Sequence, residues 1–521
     1  MADSSAAAAA APASSAPDLS TLTAAVSSAT LSDDGSATLS RRGEHGANTF
    51  QLPEGLKRLL ANMYDPDTNP QGIINAGIAD NSLCRDELLR YLLAPHRLQL
   101  SPADLTYADR FTTSTRLLEA IAKLFNEYTP DWPDTTRSPK PRTKVVPDHI
   151  AIASGATGIL DELFWNLCDE GDGVLLSTPY YNAFDNDLTS RAKAQVVPVH
   201  LPLPDAARES LDKTAFASET VAAYEAAYER ATKQGVKVRA LLLCNPHNPT
   251  GTIYPRDTVI ALATLAAKYK LHFVSDEIYA RSCFATADVR EPAVFHSILS
   301  IDVAKECGLD PAYVHVVTSA SKDFAVNGFR LGVLVSQHNA ALLRAMASVG
   351  LLSQSASPAA SLWHTWLSDE AFLRWYLAEN RRRLARAYEH TVEWARLAGI
   401  PYFPSNAGFF VMLDFSTEIG ITKETGESEA AKREEDFVDR LLDCGVFVAP
   451  GTQYHHPNKG WFRFTFSMQP KTLKLALERT EQALRLEESV ERNRPLLDLD
   501  SGGTPAPDAG KRQSWIQKLV G

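Results

Sequence analysis

Short apolar runs recur through the middle of this chain, each closed by a polar or Gly- and Pro-rich turn, and they limit its fold more than any other feature. Gly173-Val174-Leu175-Leu176-Ser177, Val238 to Cys244, His272-Phe273-Val274 and Val314 to Thr318 read as strands. Helical spacing lies between and around them, over Ile159 to Cys168 and Thr258 to Tyr269. Short apolar strands alternating with helices predict an α/β fold with a mostly parallel sheet and right-handed crossovers. In open sheets of this kind, ligands bind at the carboxyl ends of the strands. The positions to read for chemistry are therefore those just after each run.

After Val314-His315-Val316-Val317 comes Ser319-Ala320-Ser321-Lys322, with Gly328-Phe329-Arg330 a short loop further on. An amine beside a fixed cation is what pyridoxal phosphate needs. Lys322 bonds the aldehyde, Arg330 grips the phosphate bidentately, and Ser319 adds a phosphate contact. Taken alone, Lys322 would be one more solvated charge. After Ala240-Leu241-Leu242-Leu243-Cys244 comes Asn245-Pro246-His247-Asn248-Pro249-Thr250-Gly251, by itself a strand-ending turn. Beside Lys322 it makes Asn248 a donor to the cofactor's phenolate oxygen. Ser275-Asp276-Glu277-Ile278-Tyr279 sets Asp276 at a strand end, facing the pyridine nitrogen and keeping it protonated as an electron sink. Tyr279 would bond the same phenolate oxygen; the plain alternative for Asp276 is a helix N-cap.

Ser154-Gly155-Ala156-Thr157-Gly158 opens a helix, and its small residues let the N–H groups of Ala156 and Thr157 approach an anion. Thr178-Pro179-Tyr180-Tyr181 offers an aromatic face to the ring, with Tyr181 the first choice and Tyr180 the second. Arg463 interrupts the apolar strand Trp461 to Phe466. A cation there needs an anion, either a substrate α-carboxylate or a structural Asp or Glu.

In this order, these residues resemble the fold-type-I pyridoxal-phosphate enzymes of the class I/II aminotransferase family. The resemblance extends to the 1-aminocyclopropane-1-carboxylate synthase-like branch. It is carried by Asn69 to Asn81, Thr178 to Tyr181 with Phe184-Asp185-Asn186-Asp187-Leu188, Ser319 to Gly332, and Ser405-Asn406-Ala407-Gly408-Phe409-Phe410. It runs from about Leu39 to about Glu488. It implies a large domain with a seven-stranded, mostly parallel sheet, a smaller α/β domain, and a homodimer with its sites at the interface. It also implies a role in specialised metabolism. The domain expectation is a disordered Ala/Ser-rich tail over 1–40, small-domain residues 41–111, the cofactor-binding domain 112–345, the rest of the small domain 346–488, and a second tail over 489–521.

Composition agrees with an enzyme of this kind. The formal net charge of −11 and the lack of a long basic run argue against nucleic acid and anionic membranes. No apolar run approaches the roughly 18 residues of a membrane span. Six scattered cysteines, none in a C-x-x-C pair, read as buried thiols in a reducing compartment, the cytoplasm, with no disulfide framework and no zinc site. The first 40 residues hold the alanine run Ala6 to Ala11, with Asp3, Asp18, Asp33 and Asp34 and no arginine before Arg41. That fits neither a mitochondrial nor a secretory leader. Glu370 to Leu397 reads as a long amphipathic helix whose Arg381, Arg382, Arg383 and Arg386 form a solvated face. Glu418 to Glu435 reads as a surface loop leading into a helix.

Two departures from the synthases bear on the reaction. Their Leu-Ala-Glu-Asn is Ile78-Ala79-Asp80-Asn81 here, leaving Asp80 as a shorter carboxylate toward the substrate. Their interface tyrosine falls on Phe111, which lacks the hydroxyl, while Tyr107 lies four residues earlier. The expectation is an enzyme acting on an α-amino acid, an aminotransferase first. A carbon–sulfur or γ-eliminating lyase, the ring-forming synthase included, is the alternative.

Overall fold

The computed structural model describes residues 39–49, 52–95, 97–98, 100–110, 112–129, 138–201, 218–289 and 293–486. Phe111, nearly all of the 1–40 tail and the 489–521 tail lie outside them. Backbone contacts divide the chain into two compact units, residues 1–75 and 76–521. Within the first, helices span Arg41–Thr49 and Glu54–Ala61. The second holds the seven-stranded and four-stranded sheets and every candidate site residue.

Seven strands form its main sheet: β1 (Ile150–Ser154), β2 (Gly173–Thr178), β3 (Gln195–His200), β4 (Val238–Cys244), β5 (His272–Asp276), β6 (Val314–Ser319) and β7 (Leu331–Val335), in the order β1-β7-β6-β5-β4-β2-β3. The neighbours from β6 through β3 pair in parallel, and β7 runs antiparallel to both β6 and β1. Sequence patterning found β2, β4, β5 and β6 and missed β1, β3 and β7. Leu331-Gly332-Val333-Leu334-Val335 is apolar enough for a strand, but an apolar run carries no sign of its direction.

Central strands β2, β6 and β7 are buried at every residue, as strands covered on both faces must be. Helices supply the cover: α1 (Thr115–Glu127), α2 (Gly155–Leu167) and α3 (Arg256–Tyr269). Leu117, Leu118 and Ile121 of α1 and Val259, Leu262 and Ala263 of α3 join one apolar core with Leu241, Leu243, Phe273 and Val316. Each such side chain contributes roughly 1.5–3 kcal/mol by leaving water. Across the sheet, Ile159, Leu163 and Phe164 of α2 pack with Leu176, Leu242, Val274 and Val317.

A second, antiparallel sheet has the order β10-β11-β9-β8, from β8 (Tyr402–Phe403), β9 (Phe410–Asp414), β10 (Ala449–Pro450) and β11 (Trp461–Thr465). Helix α4 (Glu370–Leu397), helix α5 (Glu427–Asp443) and helix α6 (Pro470–Leu484) accompany it. The extended segment from Ala76 to Ser82 runs along this part of the molecule. Ala76 N–H donates to Phe447 O at 2.9 Å, Thr465 N–H to Ala76 O at 2.8 Å, and Ser82 N–H to Ser467 O at 2.9 Å.

Helix α4 has the bounds its periodicity predicts, and Asp369 caps it by accepting from Phe372 N–H at 3.2 Å. Its arginines are not a solvated face. Arg382 and Arg383 pair with buried Glu379, and Arg383 also reaches Glu87 at 2.8 Å. A guanidinium long enough to cross the groove between elements finds carboxylates there, so this part of the charge run holds the fold together. No helix among the described residues is long and apolar enough to cross a membrane.

Candidate active site

Strand register sets the floor of the site. Cys244, Asp276 and Val317 stand opposite one another at the carboxyl ends of β4, β5 and β6. The turns that leave these three strands carry Asn248, Tyr279 and Lys322. Because β7 runs the other way, its first residues return to the same edge, with Ser319 opposite Gly332. Arg330, the residue before β7, is thereby brought to the start of α2. Gly155 N–H donates to Arg330 O at 3.0 Å. Gly155 and Arg330, 175 residues apart in the chain, meet because one strand is antiparallel.

The start of α2 and Arg330 lie together and could hold an anion. Gly155 has φ +75°, and a Cβ there would stand 2.3 Å from Arg330 Nη2. Gly332 is equally constrained, since a Cβ would meet Gly155 O at 2.1 Å. Backbone N–H groups at a helix start carry partial positive charge, and Ala156 and Thr157 stand there, half-buried and exposed. Arg330 is exposed too, with Nη1 donating to Asn327 O at 2.8 Å. The Ser319 hydroxyl is near the strand end and accepts from Ser321 N–H at 3.1 Å.

Lys322 is partly buried, and Nζ donates to Ala79 O at 2.5 Å. Burial and then the cations Arg463 and Arg330 pull its amine down to about 8, with Asp80 opposing. Asp276 is buried, and its carboxyl is pushed up to about 7 by burial, with Ile278 N–H pulling the other way at 3.2 Å from Oδ1. It has no basic partner among the described residues. Tyr279 is buried, edge-on to Phe409 and Phe410, with its hydroxyl held well above the usual range by burial. Tyr181 feels the charges of Asp187, Arg463 and Asp276. Tyr180 is committed elsewhere: it stacks on His455 at 4.3 Å and its hydroxyl donates to Asp185 at 2.7 Å.

Arg463 is 2% exposed and has no carboxylate partner among the described residues. Nη1 donates to Asn248 Oδ1 at 2.8 Å and Nη2 to Gly77 O at 2.5 Å. Its guanidinium lies over the Tyr454 ring at 4.4 Å and the Phe410 ring at 4.7 Å. Among the described residues the structural Asp or Glu weighed from the sequence is not found beside it, so the cation could take an external anion. Asn248 accepts from Arg463 through its carbonyl, which leaves its NH2 to donate elsewhere. Asp80 is bonded away from the amine: Arg85 Nη2 donates to Oδ2 at 2.6 Å and Asn327 Nδ2 to Oδ1 at 3.3 Å. Tyr454, Phe410 and the carbonyls of Gly77 and Ala79 were missed in the sequence. Only the aromatic density around Arg463 hinted at them.

Pyridoxal phosphate fits these residues. The missing side chains of Gly155 and Gly332 let the Arg330 guanidinium and the N–H groups that open α2 lie together as donors for a phosphate, buried Asp276 suits a protonated ring nitrogen, and Lys322 is an amine already drawn toward its neutral form. Among the described residues, no group of three or more His, Cys, Asp or Glu could hold a metal ion.

A family profile described as "Aminotransferase class I and II" matches residues 95–479. A 1-aminocyclopropane-1-carboxylate synthase 1 of Oryza sativa subsp. indica is 35% identical over 439 residues, 82% of this chain and 83% of that protein. A probable aminotransferase, aclI, of Aspergillus oryzae is 33% identical over 451 residues, 86% of this chain and 98% of that one. In three dimensions, an aspartate aminotransferase double mutant of Thermus thermophilus superposes with a TM-score of 0.61 at 22% identity, covering 86% of this chain and 100% of that one. That last likeness speaks for the fold alone.

Proposed function

Since the chain belongs to the class I and II aminotransferase family, and is a pyridoxal-phosphate-dependent enzyme, we propose that it moves the amino group of an α-amino acid to a keto acid. Arg463 carries this reading: a buried cation without a carboxylate, bonded to Asn248 and placed where its charge bears on Lys322. A substrate α-carboxylate neutralises it and turns Cα toward Lys322. The cofactor supplies the sink for the electrons released when the Cα–H bond breaks. Lys322 Nζ takes the proton, which its lowered basicity suits near neutral pH. Among the residues that would hold the cofactor, Asp276 would set a negative charge against its ring nitrogen, Asn248 and Tyr279 would bond its phenolate oxygen, and Tyr181 would pack on its ring.

Transamination is preferred to ring closure because of Asp80. The resemblance to the synthases would turn this carboxylate on the substrate, and here it is bonded to Arg85 and Asn327. Phe111 adds to this, having no hydroxyl to replace that of the synthases. The test is to mix purified enzyme with amino acids and follow the absorption spectrum. A lasting pyridoxamine form means transfer; ammonia and keto-acid release with return of the starting spectrum means elimination. Formation of 1-aminocyclopropane-1-carboxylate from S-adenosylmethionine at the typical enzyme range of about 1–10³ per second would overturn the proposal.

We further propose a cytoplasmic homodimer. Leu105, Tyr107 and Leu352 are 78%, 68% and 83% exposed. Tyr107 and Ser114 line a mostly polar crevice with Gln354 and Ser355, and the exposed Leu105 and Leu352 are the apolar groups a second copy would cover. An active monomer in sedimentation at assay concentration would refute it.

A further inference from the structure

An acid follows each of the two central site residues: Glu277 follows Asp276, and Asp323 follows Lys322. Asp323 is 1% exposed, and both its oxygens are used. Oδ2 accepts from Arg281 N–H at 2.9 Å and Oδ1 from the Ser282 hydroxyl at 2.7 Å. Arg281 and Ser282 end the turn that begins at Asp276 and carries Tyr279. Ala280 N–H donates to Glu277 O at 3.0 Å and Ser282 N–H to Tyr279 O at 2.9 Å, so the turn moves as one piece.

The start of that turn belongs to the sheet: Asn245 N–H donates to Asp276 O at 2.9 Å and Glu277 N–H to Val317 O at 2.8 Å. Beyond Asp276 the ladder between β5 and β6 stops. Asp323 lies past that point, in a turn closed by Ala325 N–H on Lys322 O at 3.0 Å. Its two hydrogen bonds carry the pairing of the strands forward into the pairing of the turns. The same region buries Glu277, which accepts from Ser275 and Ser297 hydroxyls and Ile298 N–H at 3.0–3.2 Å. It also buries Arg281, whose Nη2 donates to Tyr128 O at 3.3 Å and whose guanidinium lies 5.5 Å from the Phe125 ring. Burying three charged groups is costly, and apolar side chains of like size would stabilise the fold at least as well. What they add is a fixed geometry under the site.

We propose that Asp323 is a positioning residue, which holds the turn bearing Asp276 and Tyr279 in register with the turn bearing Lys322. Substrate capture is separate from this clasp, because Arg463 stands on β11 and bonds Asn248 and Gly77. Loosening the clasp therefore lowers kcat and leaves KM close to its starting value. It also moves the pH at which the visible band of the bound cofactor changes, because that band depends on the proton at Lys322 and on the charge of Asp276.

The proposal rests on the site assignment made above, and the experiment separates the two. Borohydride trapping of the cofactor on the Lys322 peptide is done first in the unaltered enzyme; labelling elsewhere overturns the site and the clasp together. Asp323→Asn keeps the shape and gives up one acceptor. A displacement of about 1 Å is worth on the order of 100-fold in rate, and that is the fall in kcat expected. Ser282→Ala removes one ordinary hydrogen bond, with a fall of about fivefold, and decides the question if Asp323→Asn does not fold. The double variant should be no worse than Asp323→Asn, since both act through one contact. If the variants trap the cofactor on Lys322 and keep kcat and the spectroscopic midpoint while only the melting temperature falls, Asp323 is structural and the proposal is wrong. Independent, additive losses in kcat would overturn it as well.

Discussion

Replacing Arg463 by alanine tests how the site takes its substrate. The side chain is buried, gives two hydrogen bonds to protein oxygens and has no carboxylate of its own. With substrate bound it becomes half of a desolvated charge pair. Truncating one partner of such a pair costs about 2–5 kcal/mol. At about 1.4 kcal/mol per tenfold, kcat/KM for an amino acid should fall by about 30- to 4,000-fold. Part of that loss comes from Asn248 Oδ1 and Gly77 O, which lose a donor. Arg463→Lys should fall between, because it keeps the charge and loses the planar fork. A second consequence follows from the electrostatics. Arg463 is the largest cause, after burial, of the lowered basicity of Lys322. Removing it should raise that amine from about 8 toward its ordinary 10.5, seen as a shift to higher pH of the Lys322-dependent limb in a pH–rate profile. Steady-state kinetics over pH, with cofactor content measured alongside, gives both numbers. If Arg463→Ala keeps near-normal kcat/KM while holding cofactor, the carboxylate is bound elsewhere and the reasoning fails.

Gly155→Ala places a Cβ 2.3 Å from Arg330 Nη2 at φ +75°. It should raise the Kd for pyridoxal phosphate by roughly tenfold, in line with about 1–2 kcal/mol for a left-handed residue that carries a side chain; unchanged affinity in a fluorescence titration would contradict the phosphate cradle. Cofactor-free protein should lose stability from about pH 6.5 toward pH 8. Burial raises Asp276 and Glu277 to about 7 and Asp187 to about 8, so the folded state holds protons there that the unfolded chain has released. Below that window the same acids, joined by Asp323 raised to about 6, keep that slope, and His247, His272 and His456, lowered to about 4, and His315, lowered to about 3, oppose it. Within it Lys322, lowered to about 8, opposes the three acids. Thermal melts of the cofactor-free protein that rise steadily from pH 6.5 to 8 would refute this balance.

What could be read from the chain divides along a physical line. Asn248, Asp276 and Lys322 were legible because each lies just past a short apolar run, and the ends of β4, β5 and β6 are brought side by side by simple parallel pairing. Their chemistry is directed at a ligand, and a residue's type is enough to suggest it. The phosphate cradle was legible as two separate motifs and illegible as one object. Gly155 and Arg330 meet only because β7 is antiparallel, and nothing in five apolar residues states a direction. The arginines of α4 were misread for a related reason. A guanidinium chooses between water and a carboxylate by what the fold sets within its reach, and Glu87 lies 296 residues from Arg383. Asp323 is the sharpest case: next to Lys322 in the chain, it takes its meaning from Arg281 and Ser282, about forty residues earlier. The same line runs through the reaction itself. Lys322, Asp276 and Arg463 are common to every outcome that starts from breaking a Cα–H bond. Asp80, which the proposed function makes the residue that separates those outcomes, is held by Arg85 five residues on, in an ion pair that a list of residues cannot show and a geometry can.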